Sequence, residues 1–340
     1  MSLPTRQLGR DGPPVTSIGL GLMSFSGWYA QGATSAAAAH ALLDRAHALG
    51  ERFWDTADVY AGSEALVGGW FRQNPEKRGD VFLATKFALR HTAEGERVVD
   101  TSPEYVKKAC EKSLETLGVD VIDLYYVHRV DEKTPIEHTI KAMAELKAEG
   151  KIRYLGLSEC SAATIRRAHA VHPITAYQVE YSPLFLDIES PRTSILSTCR
   201  ELGIAVVAYS PVARGLLTGA VKSHADLLSA GDFRAAVPKF SADNFPRITA
   251  LVGRIEEIGA RHGATPAQVC LAWVAAQGED VISIPGTSKV RYLEENVKAL
   301  EVQLSEEEVA ELRKYAEATE LPGDRYPAAF GSMFRDSVPL

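Results

Sequence analysis

The chain has little cysteine, no long apolar run and no surplus of positive charge. Its four cysteines, Cys110, Cys160, Cys199 and Cys270, are scattered through 340 residues. None forms a Cys-x-x-Cys pair or stands at a zinc-ligand spacing from histidine, so neither a disulfide scaffold nor a metal site is expected. They read as reduced thiols of a cytoplasmic protein, with Cys160 a buried and inert one. Residues 1–12 lack the apolar run of a secretory signal. No stretch approaches the roughly 20 apolar residues that cross a bilayer. A formal net charge of -7 without a local basic stripe argues against a nucleic-acid partner.

What is present is ordinary globular material, 46% hydrophobic and 24% charged. Short apolar runs recur at 17–22, 52–55, 81–86, 122–128, 152–158, 176–180, 205–209 and 281–285. Their continuous apolar character suits parallel strands covered on both faces. Between them lie amphipathic patterns with clear start signals. Thr134-Pro135-Ile136-Glu137 reads as a capping box, followed by an apolar stripe of Ile136, Ile140, Met143 and Leu146. Thr265-Pro266-Ala267-Gln268 repeats that grammar, Ser102-Pro103 opens a third helix, and Ser305 to Glu308 is a further capping box.

Eight strand–helix units favour a single α/β domain over 1–340, a (β/α)8 TIM barrel, over a doubly wound open sheet. The open sheet would want a Gly-x-Gly-x-x-Gly after its first strand. Gly19-Leu20-Gly21-Leu22 lacks the third glycine and the immediate helix. Arg6-Gln7-Leu8 and Val15 flank the turn-rich Gly9 to Gly12, which predicts an N-terminal β-hairpin plugging the barrel floor. A long loop over 212–245 follows the seventh strand, and loops of that length are usually lids or binding loops. The tail 321–340, with Tyr326, Phe330, Met333 and Phe334, is expected to fold near the barrel mouth.

Asp55, Tyr60, Lys86 and His128 stand at or just beyond the ends of the second, third and fourth runs. Active sites of such barrels lie at the carboxyl ends of the strands. Alone, each residue is more often a cap, a rim residue or a core group. Together they form a proton-donor assembly. Tyrosine is too weak an acid at neutral pH, and a cation beside it lowers its pKa. Lys86 can supply that cation, Asp55 can hold Lys86, and Tyr60 can protonate a carbonyl oxygen while His128 orients it. Asp55 and Tyr60 can be neighbours only if the segment turns back after the strand. A Schiff-base lyase using Lys86 and a non-catalytic, cofactor-bound redox-sensing subunit are the competing readings.

These residues sit in strings that resemble the aldo-keto reductases along the whole chain. The strings are Asp55-Thr56-Ala57-Asp58-Val59-Tyr60, Ala84-Thr85-Lys86, Asp123 to Arg129, Ile152 to Ser158, Tyr209-Ser210-Pro211, and Ile284-Pro285-Gly286-Thr287 followed by Glu295-Asn296. The resemblance implies a catalytic tetrad of Asp55, Tyr60, Lys86 and His128. It also implies a nicotinamide dinucleotide bound without a Rossmann fold. Ser158, Glu159 and Gln178 fall at the carboxamide clamp and Tyr209 stacks on the nicotinamide. Ser210, Val212, Gly215 and Arg214 fall at the pyrophosphate. Ser288, Lys289 and Arg291 fall at an adenosine 2′-phosphate, which favours NADPH, and Asn296 at adenine. Gly21, Met23, Pro211, Pro285, Gly286 and Glu295 complete the implied cofactor set.

The chain departs from many family members at two points. Ser158-Glu159 replaces Ser-Asn, as in a branch of fungal, plant and bacterial reductases that includes pyridoxal reductases. Leu217-Thr218-Gly219 is followed by Ala220 where a lysine is common, with Lys222 a substitute. The substrate is expected to be a small carbonyl compound. Phe25, Trp28, Tyr60, Phe87 and His128, with Phe185, are the candidate walls of its pocket.

Overall fold

The structure is a computed structural model that describes residues 3–27, 33–92, 95–229, 232–327 and 333–340. Trp28 and Phe330 lie outside them. The chain opens with an antiparallel hairpin, β1 (Thr5–Gln7) and β2 (Pro14–Thr16). Three parallel strands follow, β3 (Leu20–Gly21), β4 (Phe53–Asp55) and β5 (Phe82–Phe87), and then a second small hairpin, β6 (Leu89–His91) with β7 (Arg97–Val99). The remaining parallel strands are β8 (Ile122–Val127), β9 (Ile152–Ser158), β10 (Ala176–Glu180), β11 (Ala205–Tyr209) and β12 (Val281–Ser283). Eight strands form one sheet in the order β12-β11-β10-β9-β8-β5-β4-β3. The sheet curls until its ends meet. Ile18 bridges Ser283 and Gly21 bridges Gly286, both in parallel sense. Each of the eight anticipated apolar runs overlaps a barrel strand, and seven contain theirs whole, β5 reaching one residue further to Phe87.

Alternation decides which side chains point inward. Phe53, Ala84, Leu124, Tyr126, Ala176, Ala205, Val207 and Ile282 form one buried cluster inside the barrel, closed below by Leu8 and Val15 of the first hairpin. Arg6 clasps that hairpin to the floor by donating to the carbonyls of Gly278, Val281 and Ala275. Gly156 has no side chain because Tyr126 fills its place: a Cβ there would lie 2.3 Å from the tyrosine ring. The outward positions, such as Trp54, Leu83, Tyr125 and Val127, join the larger core beneath the helices.

The capping boxes at Thr265 and Ser305 are formed, and Ser102 caps its helix. The one at Thr134 is not. That helix runs Ile136–Ala148, and the Thr134 hydroxyl donates to Asp131 while Glu137 pairs with Arg167. The cap comes instead from the far end of the chain, where Ser337 Oγ accepts from Ile136 N at 2.8 Å. Ser337 N donates to Thr164, and Arg167 donates to the carbonyls of Ser337 and Val338. The tail is thus fastened across the barrel mouth, with Arg335 bridging Cys160. The long loop after β11 is not structureless, since it contains short helical turns at Ala213–Thr218, His224–Ser229, Phe233–Ala236 and Pro238–Phe240. Among the described residues no helix is long and apolar enough to cross a membrane, and no cluster of His, Cys, Asp and Glu could hold a metal ion.

Candidate active site

The inward column of each strand is apolar at the floor and turns polar at the carboxyl end. Asp55 follows Phe53 by two residues, Lys86 follows Ala84, His128 follows Tyr126 and Gln178 follows Ala176. A period of two therefore brings these four polar groups to one end of the barrel. Lys86 Nζ lies 2.5 Å from Asp55 Oδ1 and donates to the Thr56 carbonyl at 2.6 Å. The other Asp55 oxygen accepts from Gln178 Nε2 at 2.8 Å. Burial pushes the Asp55 carboxyl up and the Lys86 amine down, and each is drawn back by the other.

The segment after β4 turns back as the spacing requires. Tyr60 N donates to the Ala57 carbonyl, and Thr56 and Ser63 share a hydroxyl contact of 2.8 Å. The Tyr60 ring then lies 5.0 Å from Lys86 Nζ and 5.8 Å, edge to face, from the His128 ring. The four residues are brought together. The electrostatics differ from expectation in one respect. Burial and then Asp55 push the Tyr60 phenol up, and Arg129 rather than Lys86 draws it down. Lys86 is ion-paired to Asp55, and it is the Asp55 charge that Tyr60 feels. His128 is pushed well below its usual value by burial, then by Arg129, Lys86 and Arg97, so its imidazole is neutral. Its Nδ1 is buried without a hydrogen-bond partner.

These groups open on a cavity of about 1430 Å³. Asp55, Tyr60, His128, Ser158, Glu159, Gln178 and Tyr209 line it, as do Gly21, Met23, the stretch 210–212, Arg214, Gly215, Pro285, Gly286, Ser288, Lys289, Glu295 and Asn296. Lys86 does not. Its amine is wholly buried behind Asp55, which leaves no route for attack on a substrate carbonyl and removes the Schiff-base reading.

Several assignments change. Phe25 and Phe87 are 0% exposed and pack in the core, Phe87 stacked on Tyr125 at 4.8 Å, so neither is a pocket wall. Phe185 is likewise buried, against Phe240. Trp28 falls outside the described residues. Arg291 does not line the cavity but stacks on Tyr292, which does, at 4.5 Å. The Arg214 guanidinium is committed to Glu180 at 3.0 and 3.1 Å. Glu159 is held by Arg325 at 2.7 Å and by the Tyr209 hydroxyl at 2.8 Å. Lys222 does not line the cavity; Arg234 does, its NH1 donating to the Arg214 carbonyl. Cys160 is buried, and burial pushes its thiol up.

The sequence reading missed the wall beside Tyr60. It is formed by Leu89, His91, Arg97 and Val99 of the second hairpin, by Arg129 and Val130, and by Tyr326, Met333 and Arg335 of the tail. A signal existed in the polar stretch between β5 and the helix at Ser102, where Leu89 and Val99 flank a turn with Gly95.

Fold and cavity define an α/β-barrel protein with an ionisable cluster and a long cleft at the carboxyl ends of its strands. Residues 17–317 match the Aldo/keto reductase family. The chain is 54% identical over 345 residues to the aldo-keto reductase str7 of Strobilurus tenacellus, covering 100% of this chain and 99% of that one. It is 46% identical over 344 residues to the aldo-keto reductase yakc [NADP(+)] of Schizosaccharomyces pombe, covering 100% and 99%. The structure of a glycerol dehydrogenase from Gluconobacter oxydans superposes with a TM-score of 0.82 at 28% identity, covering 94% and 97%. The chain belongs to the aldo/keto reductase family, oxidoreductases that reduce carbonyl groups with a nicotinamide cofactor.

Proposed function

We propose that the protein reduces an aldehyde or ketone to the alcohol with NADPH, and that Tyr60 gives the proton to the carbonyl oxygen. The observation that carries this reading is the convergence of Tyr60, His128 and the Asp55–Lys86 pair on one cavity end. The residues present fit the cofactor. Ser210, Val212, Arg214 and Gly215 line the cavity on an irregular turn whose backbone is left-handed at Ser210, Ala213, Arg214 and Gly215, with φ of 50, 49, 56 and 86°. The Ala213 and Gly215 N–H groups are taken by the Ser210 and Val212 carbonyls, so a pyrophosphate there would be held by the Ser210 hydroxyl and the other N–H groups of the turn. Lys289 and Ser288, with Arg291 behind Tyr292, suit a 2′-phosphate. The name of the fission-yeast relative, which carries NADP(+), points the same way. Ser158 and the free oxygen of Gln178 would meet a carboxamide, and Tyr209 the flat ring.

When bound, the cofactor supplies hydride. The protein's part is to hold the carbonyl and deliver a proton. His128, neutral and buried, can donate to the carbonyl oxygen without carrying charge into the site. Tyr60, held up by burial, is protonated in the resting protein and so is a donor rather than a base. Asp55 keeps Lys86 in place behind the ring. General acid catalysis is worth roughly 10²–10⁴ in rate, so Tyr60→Phe should lose at least that range of kcat for a small aldehyde. NADPH binding, read by fluorescence titration, should stay near wild type. Turnover close to wild type in that variant would sink the assignment.

A further inference from the structure

Beside Tyr60 and His128 the cavity wall is cationic, and among the described residues its central cation, Arg129, has no directly bonded acid; Glu159, whose charge reaches it, is bonded to Arg325 instead. Arg129 NH1 donates to the His128 carbonyl at 2.6 Å and to Ser158 Oγ at 3.3 Å, both neutral acceptors. Among the described residues Arg129 forms no ion pair. The carboxylates lining the same end are already taken: Asp55 by Lys86, and Glu159 by Arg325. Arg97, on the second hairpin, lines the same cavity from its rim, and the Arg97 and Arg129 charges both act on His128. Arg335 adds a third guanidinium, paired with Glu132. The same cavity is also lined by apolar Leu89, Val99, Val130 and Met333. Apolar sides with a few fixed polar groups are the pattern of a small-molecule pocket, and a guanidinium matches a carboxylate or phosphate by geometry as well as charge.

We propose that the pocket selects carbonyl substrates bearing an anionic group, a carboxylate or a phosphate ester, with Arg129 as the anchor and Arg97 as a second cation at the rim. The inference rests on the carbonyl-reductase reading above and names its substrate class.

The test uses the full-length protein with NADPH and matched aldehydes of equal chain length. One pair is an ω-carboxy aldehyde and its methyl ester; the other is a phosphorylated aldehyde and its free alcohol. The measured quantity is the ratio of kcat/KM within each pair. A site built to bond a group rejects the analogue lacking it, so the anionic member should be preferred by about tenfold or more. Preference in the carboxylate pair alone, or in the phosphate pair alone, identifies which anion is read and supports the proposal. Arg129→Gln should cut the ratio by roughly tenfold, and Arg97→Gln by less, because an exposed cation is screened. If Arg129 served only to position His128 or to tune Tyr60, both members of a pair would fall together and the ratio would not move. A ratio near one in the wild type, with the neutral aldehyde reduced, overturns the proposal and leaves the reductase reading standing. So does a preference that survives in both variants. Reduction of neither member takes down the reductase reading and this inference with it.

Discussion

Removing Arg325 should expose how much of the fold's stability rests on a buried charge cluster at the mouth. Glu159 and Glu180 are buried at 2% and 0% exposure, and they share two guanidinia, Arg325 and Arg214. Arg325 grips Glu159 with two bonds, at 2.7 and 3.2 Å, and reaches Glu180 at 3.4 Å. In Arg325→Met Glu180 would keep Arg214, but Glu159 would lose its bonded guanidinium and keep only the more distant charge of Arg129. Breaking a buried pair from one side costs about 3–5 kcal/mol, because the partner charge is left in low dielectric. Melting entropy is about 2.1 cal/mol/K per residue, so 340 residues give about 0.7 kcal/mol per degree and a Tm drop of about 4–7 °C. The loss should depend on pH in a set direction. Burial pushes the Glu159 carboxyl up, but Arg325 and Arg129 outweigh it and hold it below its usual range. In the wild type its contribution is therefore present above the unfolded carboxylate pKa of about 4.3 and lost only as pH falls through the lower folded value. Without Arg325 burial prevails and the folded value rises. Stability is then lost as pH rises from about 4.3 through the raised value, so the deficit is full at pH 8 and shrinks towards pH 5. Thermal melts from pH 5 to 8 of Arg325→Met, Glu159→Gln and the double variant read this out. The double variant should recover at least half of the deficit at pH 8. A deficit that does not change with pH, and to which Glu159→Gln simply adds, would refute the reasoning.

Three further outcomes follow from particular contacts. Ser337→Ala should cost about 1 kcal/mol by stripping the cap from Ile136, whereas Thr134→Ala should stay within about 0.5 kcal/mol; melts that reverse this order would return the cap to Thr134. Burial and then Glu64 push the Asp58 carboxyl up to about 8, so stability drains as pH rises from about 4 towards 8. Asp58→Asn should flatten that slope and be the more stable protein at pH 8.5, and a melt showing it weaker there would contradict the assignment. Lys289→Ala should shrink the preference for NADPH over NADH by roughly tenfold and Arg291→Ala by less, since Lys289 lines the cavity and Arg291 lies behind Tyr292; an unchanged ratio of dissociation constants would remove the 2′-phosphate role.

The barrel strands were legible because burial on both faces leaves continuous apolar strings. Every residue of β8 is buried, and all but Asp123, which pairs with Arg78 and Arg153, are apolar or aromatic. The second hairpin was not legible because it has the opposite character. Arg90, His91 and Arg97 make it short and polar, a strand pair held at the mouth by the fold around it. The caps divide along the same line. Thr265 and Ser305 cap by bonds within their own turn, which a local pattern specifies. Ile136 takes its cap from Ser337, 201 positions away, and no local pattern encodes that distance. Thr134 looked like a cap because the motif was complete, but Asp131 competes for its hydroxyl and its backbone N–H.

At the site, alternation carried more information than the sequence reading drew from it. If Ala84 and Lys86 point inward, Phe87 must point outward, and it does, against Tyr125. The aromatic character of Phe87 suggested a pocket; its parity had already placed it in the core. The tyrosine's acidity carries a parallel lesson about charge. The strings that supply Lys86 as a cation beside Tyr60 also supply Asp55 to hold it, and the Asp55 charge acts on the phenol in the opposite sense. Burial drives the phenol up, and Asp55 adds to the rise. The cation that does pull Tyr60 down is Arg129, which sits beside His128 in the quoted motif and forms no ion pair among the described residues. A charge that is already matched shapes the site by holding geometry. One with no directly bonded acid also acts on whatever enters the cavity, and that places Arg129 among the residues to which the chemistry should be most sensitive.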